Sequence, residues 1–184
     1  METIKNWLAN SATLRFAFEA SAGQNTPRLD DLFDALRLAP SESSADAIES
    51  EIWSLWTSAG NRDIDQLMEA GMAAMLAERY RLALDAFNKV VQRAPNFAEG
   101  WNKRATLHFL TGDYDSSVAD VEHTLTLEPR HFGALSGLAL IALELGEEER
   151  ALDAFDAALD IHPWLAGRDT HIRELREKLR GRGI

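Results

Sequence analysis

The strongest constraint in this 184-residue chain is a period of 34 residues in its central and C-terminal parts. When residues 98–131 are moved back by 34 positions, Pro129 falls on Pro95, and when they are moved forward, it falls on Pro163. A fixed period of this length predicts a repeat array. Such units stack on one another, because a single unit cannot bury its own apolar face.

Each unit is predicted to hold two antiparallel helices. In the middle unit, apolar residues at helical spacing predict a first helix over about 98–110, and Gly112 suits the left-handed turn that follows it. A second helix is predicted over about 114–127, and Pro129 ends it because proline disfavours a helical conformation in the preceding residue. Small residues recur where the two helices of a unit would cross. They are Gly71, Ala105 and Ala139 in the first helices and Ala83, Ser117 and Ala151 in the second.

This pattern resembles the tetratricopeptide repeat family, whose unit contains Trp-x-x-Leu-Gly-x-x-Tyr, then Ala-x-x-x-Phe, then Pro. The residues that match are Gly71, Tyr80, Ala83, Phe87 and Pro95 in 64–97, Trp101, Ala105, Gly112, Tyr114 and Pro129 in 98–131, and Leu138, Ala139, Gly146, Ala151, Phe155, Ala158 and Pro163 in 132–165. Glu78, Arg104 and His108 depart from the pattern, which affects local packing. The resemblance implies an all-α fold, a right-handed superhelical α-solenoid of helix-turn-helix repeats with a C-terminal capping helix.

The segments outside the three repeats have separate predictions. Residues 1–28 are predicted to be an N-terminal arm that is poorly ordered or helical. Residues 29–63 are predicted to be a degenerate, repeat-like helical pair, in which Trp53 and Trp56 pack on the first helix of the next repeat. The alternative is that these tryptophans anchor a partner. Residues 166–184 are predicted to be a solvating helix over the last repeat, with a basic tail as the alternative.

Composition narrows the function. The net charge of −11 argues against binding to nucleic acid or to an anionic membrane surface. No window is apolar and long enough to insert into a membrane. The chain lacks cysteine, a glycine-rich phosphate loop and a G-x-S-x-G or H-E-x-x-H motif, so the sequence predicts no catalytic residues, no metal site and no cofactor. We expect a cytoplasmic protein, or a periplasmic or exported one if the N-terminal segment is a signal peptide.

Two local features are explained by structure and do not require a function. His108 takes a packing position of the repeat, so we expect a semi-buried and satisfied side chain. The acidic residues between positions 147 and 160 are typical of a solvated, mutually repelling face. The alternative is a site for a cation or a basic partner.

The family resemblance implies that the first helices line a concave peptide-binding groove. The predicted groove residues are Asp65, Met68, Glu69, Met72 and Met75, then Glu99, Asn102, Lys103, Thr106 and Phe109, then Gly133, Ser136, Gly137, Leu140, Leu143 and Glu144. Three methionines predict a soft, adaptable apolar surface, unless they pack against the helix that carries Trp53 and Trp56. Because Lys103 is the only cation in this set, an acidic peptide tail would be repelled. We therefore expect an apolar or amphipathic segment, which basic flanks would suit.

The predicted function is that of a non-catalytic protein–protein interaction scaffold or adaptor. A chaperone-like holder of a hydrophobic partner segment, a self-associating structural scaffold and a regulatory subunit of an enzyme complex are the alternatives. We expect a monomer whose partner is another protein or peptide, and a dimer is the alternative.

Overall fold

The computed structural model describes residues 27–166 and 172–181, and these ranges form helices without strands. The helices are α1 (Pro27–Arg37), α2 (Glu42–Trp56), α3 (Arg62–Leu76), α4 (Tyr80–Arg93), α5 (Ala98–Leu110), α6 (Tyr114–Leu127), α7 (Phe132–Glu144), α8 (Glu148–Ile161) and α9 (Arg173–Gly181). The predicted N-terminal arm, 1–28, lies outside the described residues except for Pro27 and Arg28, which begin α1.

The helical hairpins α3–α4, α5–α6 and α7–α8 occupy the three repeat units, and each second helix packs on the next first helix. Their crossings depend on small residues. An added Cβ at Gly71 would lie 2.5 Å from Cε1 of Phe87. Ala83 and Ala151 are fully buried, and Ser117 donates its hydroxyl hydrogen to the Ala105 carbonyl at 2.8 Å. The prediction of close crossings at these positions is confirmed.

Two departures from the repeat pattern are accommodated locally. Glu78 has φ +56° at the turn position where Gly112 and Gly146 have φ +75° and +76°. A side chain in this left-handed conformation costs on the order of 1 kcal/mol. Arg104, at a position expected to be aliphatic, makes two 2.7 Å bonds to the Asp120 carboxylate, from Nε and Nη2. An ion pair replaces apolar packing there.

The N-terminal hairpin, α1–α2, does not pack where the sequence predicts. Trp53 and Trp56 lie against His131 and Phe132 at the start of α7, and not on α3, so that prediction is wrong. The difference arises because the tryptophans pack in the apolar core shared by the second and third repeats, whereas the buried side of α3 belongs to a separate cluster with α4 and α5.

The C-terminal helix α9 packs on α8. Ile172 and Leu175 are buried in the same apolar core as the last repeat. On the outer side, Arg176 pairs with Asp156 and Lys178 with Glu148. Part of the acidic run therefore pairs with the cations of α9, so the predicted mutual repulsion is relieved at Asp156 and Glu148, while the Asp156 side chain stays 44% exposed.

Candidate partner-binding groove

The first helices of the repeats contact one another, α3 with α5 and α5 with α7, so their equivalent residues form continuous rows. The predicted groove residues follow these rows in two groups. Those nearer the N-terminal ends of α5 and α7 meet the N-terminal hairpin. Those nearer the C-terminal ends are more open. The two groups differ in chemistry and are described in turn.

A buried ionic cluster is centred on Glu99, whose side chain is fully buried. Its Oε2 accepts hydrogen bonds from Asn102 Nδ2 at 2.8 Å and from His131 Nε2 at 2.9 Å. The Lys103 ammonium lies 2.9 Å from Glu99 Oε1. The Nδ1 atom of His131 accepts from the Ala134 amide at 3.1 Å, so Nε2 carries the ring hydrogen and donates it to Glu99.

The charge state of Glu99 follows from these contacts. Burial by itself would raise the pKa of this carboxyl, because a low-dielectric environment disfavours charge. The His131 hydrogen bond and the Lys103 ammonium outweigh burial, and the pKa of Glu99 is lowered. Glu99 is therefore ionised. Its Oε2 accepts two hydrogen bonds, and its buried Oε1 has the Lys103 ammonium as an ion-pair partner and no hydrogen bond.

The helix α2 covers this cluster. The Trp56 ring stacks on the His131 ring, with centroids 4.2 Å apart and planes inclined by 7°. The Trp53 ring lies 5.4 Å from the Lys103 ammonium, in cation–π geometry. An added Cβ at Gly133 would lie 2.8 Å from Cη2 of Trp53. We call Glu99, Asn102, Lys103, His131 and Gly133 the covered half of the groove.

A second polar contact holds the middle of α2. Glu49 Oε2 lies 3.1 Å from Nε2 of the buried His162, and Glu49 Oε1 accepts from Trp53 Nε1 at 2.9 Å. The His162 hydrogen bond is the main reason that the pKa of Glu49 is lowered. Nearby, Trp164 Nε1 donates to the Ala39 carbonyl at 3.1 Å, between the two helices of the hairpin. The hairpin thus reaches across the second and third repeats.

The methionines do not form one stripe. Met68 is buried in the apolar cluster of α3, α4 and α5 that contains Phe87, Phe97 and Leu107. It therefore faces neither an open groove nor the tryptophans. The prediction of Met68 as a groove residue is wrong, and the alternative that it is a core residue holds, although its packing partners are not Trp53 and Trp56. Met72 and Met75 pack against the edge of this cluster and remain half-buried.

An exposed apolar surface lies toward the C-terminal ends of the first helices. Leu76, Leu110 and Leu140 are 88%, 49% and 41% exposed. We call the whole set the apolar strip: Met72, Met75, Leu76, Phe109, Leu110, Leu140 and Leu143. Leu76 and Leu110 were not among the predicted groove residues, although they lie 34 positions apart and directly follow predicted ones.

The remaining predicted residues lie at the margins. Glu69, Thr106 and Glu144 are exposed. Asp65 accepts the Ala59 amide at 2.8 Å, and Ser136 donates to the Phe132 carbonyl at 2.8 Å. Each of these last two side chains therefore has a local structural partner.

Other kinds of site find no support in the described ranges. No helix there is long and apolar enough to cross a membrane, and no cluster of histidine and carboxylate side chains there could hold a metal ion. His108 is semi-buried, 3.4 Å from Asp113 Oδ2, as its packing position predicted.

Comparison with known proteins decides the family. The tetratricopeptide repeat model matches residues 68–122 and 111–163. A TPR repeat-containing protein of Rhizobium etli is 40% identical over 154 residues, which are 84% of this chain and 76% of that protein. The chain belongs to the tetratricopeptide repeat family. Proteins of this family are in general non-catalytic scaffolds for protein–protein interaction.

Solved structures show the same fold. The Sgt2 TPR domain from Aspergillus fumigatus superposes with a TM-score of 0.61 at 20% identity, over 67% of this chain and 84% of that one. The first TPR of Spaghetti (RPAP3), bound to the HSP90 peptide SRMEEVD, superposes with a TM-score of 0.60 at 19% identity, over 64% and 94%. The predicted all-α solenoid of repeats is confirmed.

Proposed function

We propose that this tetratricopeptide repeat protein is a non-catalytic adaptor that binds an apolar or amphipathic helical segment of another protein along the apolar strip. The observation that carries the proposal is an exposed leucine on each of the three first helices, with Leu76 and Leu110 at equivalent positions and Leu140 one turn earlier in its own helix. A contiguous exposed apolar patch on a folded domain marks an interaction surface. An amphipathic helix would bury its apolar face there, with anchors three or four residues apart.

The charge of the groove disfavours an acidic peptide. Recognition of a carboxylate needs cationic donors that are free to bind it. Lys103, the only cation among the predicted groove residues, already lies 2.9 Å from Glu99 and has a side chain only 22% exposed. Glu69 and Glu144 are exposed beside the strip. An acidic segment such as the HSP90 peptide held by the Spaghetti domain would meet repulsion here, and a segment with basic flanks would meet attraction.

Calorimetry with two synthetic peptides tests the proposal. The first is an amphipathic helix with lysines at both ends, and the second is an acidic peptide of equal length. The full chain is expected to bind the first at least tenfold more tightly, and Leu110→Glu should remove that binding. Gln92→Glu, which adds the same charge at an exposed site on the second helix α4, is the matched control and should bind as the unmodified chain does.

Two results would count against the adaptor. Tighter binding of the acidic peptide would refute the charge argument. Equal affinities of the Leu110→Glu and Gln92→Glu variants would show that the strip is not the binding surface.

A chaperone-like holder is the second candidate. The strip consists of hydrophobic side chains, so it offers few polar groups that would fix the orientation of a partner. Such a holder should suppress the light scattering of an unrelated unfolding protein, and Leu110→Glu should abolish the suppression. A self-associating scaffold would instead give a dimer or larger species in light scattering of the chain alone, where the adaptor is expected to be monomeric.

A further inference from the structure

The chain already holds a helix on its own concave face. The N-terminal hairpin does not extend the solenoid by stacking its tryptophans on α3, but lays α2 across the first helices of the second and third repeats, where Trp53 meets Lys103 and Trp56 meets His131. This is how an amphipathic helix binds in a groove, with apolar anchors on one face. Here the ligand and the groove belong to one chain.

The bound face of α2 has a definite pattern. Ala45, Ile52 and Trp56 are fully buried, and Trp53 is half-buried on the same side. Glu49, one turn before Trp53, lies 3.1 Å from His162. The recognised features are therefore a carboxylate followed at four and seven residues by tryptophans.

The covered half is shaped for this pattern. Gly133 is in the first turn of α7, where no turn requires glycine, and any side chain at this position would meet the Trp53 ring at 2.8 Å. Gly137, one turn later on the same helix, has nothing within 4 Å of an added Cβ. The absence of a side chain therefore matters at Gly133, and the reason is the indole ring above it.

Two buried polar atoms at the contact between α2 and the rest of the chain lack hydrogen bonds. The Nε1 atom of Trp56 and the Nδ1 atom of His162 are buried, and neither has a hydrogen-bond partner among the described residues. Buried donors and acceptors without partners weaken an interface. Ionic contacts such as those of buried Glu99 and of Glu49, which is 28% exposed, are weak evidence of stability. Both features suit a contact in which another helix can replace α2.

We infer that α2 is an internal ligand of the covered half, and that this half binds a partner helix with the same pattern, a carboxylate followed by two aromatic residues on one face. The partner displaces α2, so the free chain is autoinhibited at this site. While α2 is seated, the apparent affinity of a partner falls in proportion to the small fraction of open molecules. The inference rests on the proposed function, because both assign partner binding to the concave face, but it concerns a different half and a different ligand chemistry.

The test uses the full chain and a labelled peptide of residues 42–57, with a control peptide in which Trp53 and Trp56 are alanine. Fluorescence anisotropy measures the affinity. The Trp56→Ala chain, whose own α2 is loosened, should bind the peptide at least tenfold more tightly than the unmodified chain. The control peptide should not bind. Glu49→Ala is a milder way to loosen α2, and it keeps the test valid if Trp56→Ala does not fold.

A second substitution distinguishes the undocking of α2 from the binding of the peptide. Gly133→Leu added to the loosened chain should abolish peptide binding, because the leucine fills the place of the Trp53 ring. Gly137→Leu, added in the same way, should leave binding unchanged. The basic peptide that probes the apolar strip should bind the Trp56→Ala chain and the unmodified chain equally.

Several results would overturn the inference. One is that the folded Trp56→Ala and Glu49→Ala chains bind the peptide no more tightly than the unmodified chain. Another is that Gly133→Leu and Gly137→Leu have equal effects. A third is that the loosened chain dimerises without binding the peptide, since the occupant would then be a second copy. If the basic peptide fails to bind, but the peptide of residues 42–57 still binds more tightly to the loosened chain, only the proposed function would be contradicted.

Discussion

Substituting Trp56 by alanine tests how firmly the N-terminal hairpin is docked. The indole ring is fully buried, and it contacts His131, Phe132, Phe33 and Trp53 at centroid distances of 4.2–5.8 Å. A buried tryptophan removes about 150–250 Å² from water, which at about 25 cal/mol per Å² is about 4–6 kcal/mol. Alanine keeps a small part of this, so we expect a loss of about 3–5 kcal/mol in the free energy of unfolding. No hydrogen bond is lost, because Trp56 Nε1 has no partner in the described residues.

Trp101→Ala is the matched control. Trp101 is half-buried, stacks on His123 with centroids 4.3 Å apart, and donates a 2.8 Å hydrogen bond to the Pro95 carbonyl. The Arg104 guanidinium also lies 4.9 Å from the centroid of this ring. Removal of Trp101 should cost about 1–3 kcal/mol, from one hydrogen bond and its ring contacts.

Urea unfolding followed by far-ultraviolet circular dichroism measures both variants. With an m value of about 2 kcal/mol per molar urea, Trp56→Ala should lower the midpoint by about 1.5–2.5 M. The control should lower it by about 0.5–1.5 M, which is less than the shift for Trp56→Ala. Equal midpoints for the two variants would refute the docking of the hairpin on the second and third repeats.

Three further predictions concern packing, pH and the C-terminal helix. Ala83→Leu and Ala151→Leu should each destabilise by about 1–3 kcal/mol in urea melts by overpacking a helix crossing, whereas Asp153→Ala on the exposed face of α8 should stay within about 0.5 kcal/mol. The pKa values of Glu49 and Glu99 are lowered in the folded chain from the ordinary 4.5, so their stabilisation is present above pH 4.5 and is lost as the pH falls below it through the lowered values. Urea midpoints measured across this range should fall on acidification, and Glu49→Gln should lessen the fall. Deletion of residues 169–184 should expose the apolar edge that Ile172 and Leu175 cover and cause aggregation or earlier melting in a scattering-monitored thermal scan, and deletion of residues 1–24 should not.

The repeat architecture could be predicted from sequence because its determinants are local. The proline at the end of each unit, the turn position of Gly112 and Gly146, and the small residues at Gly71 and Ala83 each act within one hairpin. The period of 34 residues then repeats the same helical hairpin along the chain. Glu78 shows the same local control, because the turn gives it a positive φ that a residue with a side chain does not favour.

The docking of the N-terminal hairpin could not be predicted in the same way. Its apolar periodicity indicates a buried face but does not say which of several apolar surfaces covers it. The choice depends on pairs that are far apart in sequence, such as Trp56 with His131 and Glu49 with His162. One sequence signal was present, the glycine at position 133 in the first turn of a helix, which indicates a close approach by another group.

The methionine stripe shows a similar limit. Met68, Met72 and Met75 share one side of α3 by spacing, yet Met68 is buried in the core and the other two are half-buried. Helical spacing fixes direction around a helix, but the depth of burial along it depends on neighbouring helices. Sequence reasoning therefore predicted which side of α3 these residues share, and it could not predict the boundary between core and surface on that side.

The methionines also provide the most direct measurement of partner binding at the groove. The chain has four of them, so the methyl spectrum of a chain labelled with ¹³C at the methionine methyl groups has few signals to assign. On titration with the basic amphipathic peptide, the Met72 and Met75 methyl signals should shift and saturate at the calorimetric stoichiometry, while the buried Met68 signal should move much less. Binding by calorimetry with no shift at Met72 or Met75 would contradict the assignment of the apolar strip as the partner surface.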